Sequence, residues 1–278
     1  MKSALLVVCL LATLRLSASA QDSLLARWQT QATNTQNAQP HWITPLVTVT
    51  PRLEQELRAD FVRQIAPGLT DTWEYDNGKG LELIPARRVE LLFNLPPYFE
   101  HNTAGTRDGW GDVSFLSKYR FFSRNEQHGN AILTGFLGGS IPTGTYKNGS
   151  VNATVSPSLA AGKGLGRFDV QSTLGAQIPV ASGEKYGRPI AWNAAMQYKI
   201  GGAHPATPSF WPELELNSTY FVGGPNDGRV QTFATPGAIA RFPLHRRLGV
   251  VIGAGMQIAT SRYHAYNHAL IFTVRLPF

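Results

Sequence analysis

The chain has 278 residues and a formal net charge of +7, and 43% of its residues are hydrophobic but only 15% are charged. Soluble domains average about 25% charged residues, so the composition disfavours an ordinary soluble domain. Its basic residues stand singly except for the pairs Arg87-Arg88 and Arg246-Arg247, without a basic helix or an aromatic-basic platform, which excludes nucleic acid as a partner.

The first 20 residues predict a secretory signal peptide. Lys2 precedes an apolar run from Ala4 to Leu14, and Ala18-Ser19-Ala20 offers a small-residue cleavage site. The run is too short for a membrane-spanning helix, which needs about 20 residues. The only cysteine, Cys9, lies in this segment, so the exported chain is expected to contain no disulfide.

Residues 21–42, rich in Gln, Thr, Asn and Ala, are expected to form a flexible N-terminal leader. The remaining residues, 43–278, show almost no helical periodicity. Apolar and polar residues alternate with period two instead, and clusters of Gly, Pro, Asn and Asp separate the alternating segments. This pattern predicts a single all-β domain.

The alternation itself is compatible with two architectures. In "RPIAWNAAMQYKI", for example, Ile190, Trp192 and Met196 share one face, whereas Asn193 and Gln197 share the other. A soluble β-sandwich would bury the apolar face. A transmembrane β-barrel would turn the apolar face towards lipid and the polar face into its lumen.

Three features favour the barrel, namely long segments, aromatic residues near segment ends and low charge combined with an export signal. Alternating segments run for about 10 to 15 residues, whereas typical strands have about 5 to 6. We therefore predict a transmembrane antiparallel up-and-down β-barrel of about 12 strands, with 10 as the alternative. The predicted strands lie near 43–51, 53–66, 81–95, 109–123, 130–142, 151–162, 166–181, 188–200, 211–223, 229–242, 247–261 and 266–278.

The last ten residues, "ALIFTVRLPF", alternate strictly and end in Phe278. They resemble the C-terminal strand of bacterial outer-membrane barrels, which ends in phenylalanine and is recognised by the barrel-assembly machinery. The resemblance implies that the protein lies in the bacterial outer membrane. It also implies outer-membrane lipids and the assembly machinery as partners, with Phe278 as the assembly signal.

Residues 109–201 carry a second resemblance. They contain "GWGDVSFLSKYR", "GGSIPTG" and "GKGLGRFDVQSTLGAQIP". These segments resemble a family of outer-membrane transporters named for the meta-cleavage pathway of phenol degradation, whose members show a G-[WF]-G-D segment, a K-Y-R on the same strand, a P-T-G turn and a Gly-rich turn before an aspartate. The resemblance implies a transporter of small molecules, hydrophobic or aromatic in kind.

Charged residues that share parity with the polar face are candidates for lining the lumen. An Arg or Lys on the lipid face costs about 2–4 kcal/mol near the bilayer midplane, which forces such groups inward. Either they border a polar permeation path or they form a ladder of ion pairs that fills a narrow barrel without any ligand. The candidates are Arg88, Glu90, Asp112, Lys118, Arg120 and Asp169.

Other motifs predict no cofactor and no metal. Gly249, Gly253 and Gly255 share the inward face of one segment, where they would leave room for a neighbouring side chain or a pore. The seven histidines stand singly without the tight spacing of metal ligands.

The sequence thus favours a non-enzymatic outer-membrane channel or transporter for a small-molecule substrate. A structural barrel that transports nothing is the main alternative. An outer-membrane lipid hydrolase is a further alternative, and Ser261 with His264 is the pair that could serve it.

Overall fold

The computed structural model describes residues 18–68, 70–76, 79–202, 207–245 and 247–278. Most of the predicted signal peptide, residues 1–17, lies outside the described residues. The chain forms one antiparallel sheet, and its strands are β1 (Glu56–Ile65), β2 (Asp71–Tyr75), β3 (Gly80–Ala86), β4 (Val89–Asn94), β5 (Tyr98–His101), β6 (Gly109–Trp110), β7 (Val113–Arg124), β8 (Ala131–Ile141), β9 (Thr154–Leu165), β10 (Phe168–Ala176), β11 (Ile178–Pro179), β12 (Ile190–Tyr198), β13 (Ile200–Gly201), β14 (Ser209–Tyr220), β15 (Val230–His245), β16 (Leu248–Ala259) and β17 (His268–Pro277).

The sheet closes on itself because the first strand pairs with the last, from Glu56 opposite Pro277 to Ile65 opposite His268. Five of the barrel strands consist of two consecutive short elements (β2 with β3, β4 with β5, β6 with β7, β10 with β11 and β12 with β13), so the described part of the chain forms twelve barrel strands. The predicted up-and-down antiparallel barrel is therefore confirmed, with twelve strands and not ten. A two-sheet sandwich is excluded.

Polarity is reversed relative to a soluble protein. In β14 the outward side chains of Phe210 and Leu214 are exposed, whereas the inward Glu213 and Glu215 are buried. An apolar outer surface around a polar interior is the arrangement of a transmembrane barrel. Aromatic side chains lie near both ends of the outer surface. Tyr98 contacts Trp110 at one end with ring centroids 5.1 Å apart, and Phe168 contacts Tyr198 at the other with ring centroids 4.6 Å apart.

The two ends of the barrel differ. One end, here called the loop end, carries the longer connections such as residues 142–153 and 180–189. The other end, the turn end, carries the tight turns after Ala86 and Leu165 and the C-terminal Phe278. The described chain also contains two α-helices, α1 (Ala18–Asn37) and α2 (Gly183–Tyr186). Two 3-10 turns, Glu126–His128 and Gly224–Asn226, lie in connections between strands. No described helix is both long and apolar enough to cross a membrane.

Two of the predicted strands are corrected by the structure. The strand predicted near 43–51 is wrong, because these residues lie inside the barrel and bond to wall side chains instead of to a neighbouring strand. The strand predicted near 81–95 is a hairpin, since the chain reverses at Arg87 and Arg88 between β3 and β4. The predicted number of twelve strands is nevertheless correct. The strand predicted at 43–51 does not form, and the barrel strand at 71–86 was not predicted as a separate strand.

The residues expected to form a flexible leader, 21–42, contain most of α1 followed by a segment that enters the barrel. Helix α1 lies across the turn end. Its Trp28 donates from Nε1 to the carbonyl of Ile84 at 2.8 Å, and Arg247 donates to the carbonyl of Gln29 at 2.8 Å.

Candidate functional site: the plugged lumen

Residues 38–55, here called the plug loop, occupy the lumen. The loop leaves α1 at the turn end, turns back near Thr48 and Val49, and returns to the wall at Glu56, the first residue of β1. Successive inward residues of β14 trace its path, because Glu213 bonds to Leu46 and Glu215 bonds to Val47 and Thr48. The plug loop is therefore held inside the barrel by side chains of the wall and does not extend the sheet.

Leu46 anchors the plug loop in a socket made by three glycines of the wall. A Cβ atom added at Gly237 or Gly255 would lie 2.5 or 2.6 Å from Leu46 Cδ1, and one added at Gly253 would lie 2.9 Å from Leu46 Cδ2. A side chain at any of these three positions would displace Leu46 from the socket. The sequence left open whether Gly253 and Gly255 make room for a neighbouring side chain or for a pore. In the structure they make room for the side chain of Leu46.

Trp42 provides a second apolar anchor nearer the turn end. Its indole ring lies directly over Gly162 of β9, where an added Cβ would overlap the ring. Trp42 is 7% exposed and Leu46 is 2% exposed. The two side chains thus bury apolar surface between polar groups of the wall, which gives the docked loop a hydrophobic contribution.

Two carboxylates of β14 accept hydrogen bonds from the backbone of the plug loop. Glu213 accepts from the N–H of Leu46 at 3.1 Å, and Glu215 accepts from the N–H groups of Val47 and Thr48 at 2.8 and 2.6 Å. Backbone N–H groups that are buried away from water need acceptors of this kind. The turn of the plug loop therefore rests on a pair of acidic residues.

Two arginines of the wall donate to the opposite, carbonyl side of the same turn. Arg275 donates to the carbonyls of Thr44 and Pro45 at 2.5 and 2.9 Å, and Arg58 donates to the carbonyl of Leu46 at 2.8 Å. Arg58 is held by Asp60 in an ion pair of 2.7 Å. The backbone of the turn is thus bonded on both sides, so it lies in one position without forming a strand.

Neutral side chains of other strands complete the lining. Gln171 donates to the carbonyl of Ile43 at 2.9 Å, and Thr173 donates to the carbonyl of Val49 at 2.8 Å. The hydroxyl of Thr134 donates to the carbonyl of Pro51 at 2.5 Å. Buried backbone groups require such partners, and here the wall supplies them from at least six strands.

Four of the six residues predicted to line the lumen lie in it. Glu90 and Lys118 form a buried ion pair of 2.8 Å, and Lys118 also donates to the carbonyl of Arg52. Arg120 donates to the carbonyl of Thr35 at 2.9 Å, so it holds the end of α1. Asp169 accepts from Gln171 at 3.0 Å.

The other two predicted residues lie apart from this group. Arg88 is exposed in the hairpin turn between β3 and β4. Asp112 lies between β6 and β7 at the loop end, where it accepts hydrogen bonds from the backbones of Thr143, Gly144 and Ser150. For both residues the alternation of inward and outward positions does not predict the placement, because each lies where regular strand structure is interrupted. In the described part of the chain, Asp112 bonds to the connection 142–153 at the loop end and not to the plug loop.

Sequence reasoning did not select Glu213, Glu215, Arg58 or Arg275. All four are buried, and their positions on the polar face were visible in the alternation. The alternation does not show which groups these side chains bind, because it does not indicate that residues 38–55 enter the lumen.

Near the turn end, His41 and Glu126 fasten the base of the plug loop. Glu126 accepts from the backbone N–H of His41 at 2.5 Å, and its second oxygen lies 2.8 Å from His41 Nδ1. Partial burial raises the pKa of the Glu126 carboxyl, but these hydrogen bonds outweigh burial and lower the pKa to about 2. The carboxylate therefore stays ionised at neutral pH.

Among the described residues, cavities border the plug loop on its loop-end side and on its turn-end side. The cavity towards the loop end, the loop-end chamber, has a volume of about 270 Å³ and is bordered by Arg58, Lys79 and Lys118 among others. The cavity towards the turn end, the turn-end chamber, has a volume of about 300 Å³ and is bordered by Arg241 and Arg275. The plug loop separates them.

The pair proposed for a hydrolase is not arranged for catalysis. His264 Nδ1 lies 2.9 Å from the carbonyl oxygen of Ser261, and Nε2 lies 3.1 Å from Asn267. The Ser261 hydroxyl donates to the carbonyl of Tyr263. The imidazole thus bonds to the backbone of Ser261 and not to its hydroxyl, as a general base would need to do. The described residues also hold no cluster of three or more metal-ligating side chains.

Comparisons with known proteins support the fold. No protein-family profile matches the chain, and no curated protein matches it in sequence. An outer-membrane channel from Pseudomonas putida F1 is similar in structure with a TM-score of 0.57 and 14% identity, over 85% of this chain and 100% of that chain. The NanC porin is similar with a TM-score of 0.50 and 9% identity, over 80% of this chain and 98% of that chain. At such identities the likeness concerns the fold alone.

Proposed function

We propose that the protein is a passive channel of the bacterial outer membrane that the plug loop holds closed. The apolar outer surface and the polar lumen support a membrane location, and the structural likeness to outer-membrane channels supports a channel. A barrel of twelve strands is wide enough to enclose more than its own side chains. Here the additional space contains residues 38–55.

The manner in which the plug loop is held is the observation that carries this proposal. It is held by hydrogen bonds, by the His41–Glu126 pair and by buried apolar side chains such as Trp42 and Leu46, and none of its residues belongs to a strand. The barrel closes through pairing of β1 with β17, which leaves the loop out of the wall. The loop can therefore leave the lumen while every strand pair of the wall stays formed.

The nature of the solute is a separate question. Passage of small hydrophobic or aromatic molecules is supported by the sequence resemblance to the phenol-degradation transporters, and membership of that family stays a prediction. The walls of the chambers, with Arg58, Lys118 and Arg275, favour small polar solutes instead. Uptake assays with both kinds of solute would separate the two.

Export through a signal peptide, recognition of Phe278 by the barrel-assembly machinery and contact with outer-membrane lipids belong to the same proposal. The C-terminal phenylalanine ends the strand that closes the barrel, and its backbone N–H donates to the carbonyl of Gln55 at 3.2 Å. A chain lacking Phe278 is expected to accumulate outside the outer membrane in cell fractionation.

Release of the plug loop tests the channel directly. Leu46→Asp would place a carboxylate beside Glu213 in a socket of glycines, so the loop is expected to leave the lumen. Leu46→Met keeps volume and polarity and is the matched control. In liposome-swelling assays we expect Leu46→Asp to admit small solutes much faster than Leu46→Met. Equal and negligible rates would favour the structural barrel that transports nothing.

A further inference from the structure

One residue of the plug loop borders both chambers. Thr44 borders both the loop-end chamber and the turn-end chamber. It lies on the ingoing leg of the plug loop, and its hydroxyl donates at 3.1 Å to Glu54 on the outgoing leg. The two legs are therefore joined by this hydrogen bond at the residue that borders both cavities.

Few groups form this partition. Glu54 also pairs with Arg52 at 3.1 Å, and Arg52 accepts through its carbonyl from Lys118. Thr44, Arg52 and Glu54 are 5%, 8% and 7% exposed, respectively. Thr44 has a small side chain. The larger anchor residues, Trp42 and Leu46, precede and follow it by two positions. Arg52 also donates to the carbonyl of Trp42, so the partition is bonded to the backbone of one anchor, while its side chains are distinct from the two anchor side chains.

Charge along this route is predominantly positive. In the turn-end chamber, Arg241, Val251 and Arg275 lie side by side on three neighbouring strands. Neither arginine forms an ion pair in the described part of the chain, and Nε of Arg241 is buried without a hydrogen-bond partner. Glu54 is paired with Arg52. Glu56 and the C-terminal Phe278 also border the turn-end chamber, and Glu82 borders the loop-end chamber, so these acidic groups offset part of the positive charge.

We propose that the docked plug loop contains a narrow path for small inorganic anions, and that Thr44 forms its constriction. Anions reach the partition through the turn-end chamber, where Arg241 and Arg275 attract them. They pass between the legs of the loop when the side chain of Thr44 rotates away from Glu54. Larger solutes pass only when the whole plug loop leaves the lumen. This inference rests on the proposed channel function and adds a second, smaller route to it.

Thr44→Gly tests the path in the full-length protein. It removes the partition and leaves both anchors of the plug loop in place. Planar-bilayer recordings in potassium chloride are expected to show a severalfold larger conductance than for the wild type, with a reversal potential shifted towards that of chloride. Thr235→Gly is the matched control, since Thr235 is buried in the lumen wall and borders neither chamber. Its conductance is expected to equal that of the wild type.

Solute size separates this path from release of the plug loop. In liposome swelling with a trisaccharide, Thr44→Gly is expected to remain closed, whereas Leu46→Asp is expected to admit the sugar. Entry of the trisaccharide through Thr44→Gly would overturn the inference, because it would mean that the loop had been released. Equal conductance of Thr44→Gly and Thr235→Gly would overturn it too.

A double variant tests the preference of the path for anions. Adding Arg241→Gln to Thr44→Gly is expected to lower the chloride-to-potassium permeability ratio at least twofold, and a preference of Thr44→Gly for potassium would contradict the anion path. If Leu46→Asp conducts and Thr44→Gly does not, the inference fails and the channel function stands. If neither conducts, the channel function itself fails.

Discussion

The outer surface of the barrel and the inner surface that faces the plug loop are built by the same strands, yet they follow different rules. In β14, Leu214 and Glu215 are neighbours in sequence, but the first side chain is half-exposed outside the barrel and the second is fully buried inside. The outer surface needs only apolar character, because lipid tails fit any apolar side chain. The inner surface needs particular groups at particular places, because each one meets a fixed atom of the plug loop.

The difference also explains the placement of small residues. Gly237, Gly253 and Gly255 face inward, where an added Cβ would meet Leu46. Outward positions on the same strands carry Ile252 and Met256. Substitutions on the outer surface should therefore affect the barrel, and substitutions on the inner surface should affect the docking of the plug loop.

The largest expected effect concerns the anchor itself. Leu46→Ala empties the glycine socket and should cost about 2–5 kcal/mol of docking free energy, as for other buried leucines. Amide hydrogen exchange of residues 46–48 is expected to accelerate at least about tenfold, with Leu46→Met as the control. Unchanged exchange at these amides, or faster exchange throughout the barrel strands, would break the distinction between the two surfaces.

On the outer surface, Leu214→Arg should destabilise the barrel by about 2–4 kcal/mol, because a cation would face the hydrocarbon region. Urea unfolding in lipid vesicles, followed by tryptophan fluorescence, would measure the loss against Leu214→Ile. Exchange of the plug amides should not change. Faster exchange at residues 46–48 alone would show that the outer surface also governs docking.

Glu215→Gln changes the inward-facing residue that follows Leu214 in β14. It replaces the carboxylate that accepts from Val47 and Thr48 with an amide, which keeps one carbonyl acceptor and loses the charge. We expect the docking free energy of the plug loop to fall by about 1–3 kcal/mol. Amide hydrogen exchange of residues 46–48 would again measure this loss. Glu184→Gln, at an exposed residue of a connection at the loop end, serves as the control and should leave exchange as it is.

The smallest effect depends on pH. The pKa of Glu126 in the folded protein, about 2, lies below the ordinary value of 4.5. A group with a lowered pKa stabilises the fold above its ordinary pKa and loses that contribution as the pH falls through the folded value. The stability difference between wild type and Glu126→Gln should therefore be full at neutral pH and shrink between about pH 4.5 and 2. A difference that grows on acidification would be inconsistent with the His41 hydrogen bonds.

The wall could be predicted from the sequence, but its contents could not. Alternation identifies a barrel strand because lipid and lumen impose opposite polarity on successive residues, and this holds for residues such as Lys118 and Asp169. It fails at Arg88 and Asp112, where a turn and a strand break interrupt the period. It also fails at 43–51, because a segment bonded on all sides by wall groups carries the same mixture of apolar and polar residues as a strand. The partners Glu215 and Arg275 depend on where the plug loop docks, which no local pattern specifies.

Single-channel recording of a chain of residues 21–278 beside a chain of residues 55–278 tests the central claim most directly. Both would be inserted into planar bilayers in potassium chloride, after heat-modifiable gel migration has shown that both form folded barrels. We expect small or no conductance steps for the intact chain and large, stable steps for the shortened one, because its lumen is empty. Folded barrels of both kinds with equal conductance would contradict the account, since the plug loop would then not close the lumen.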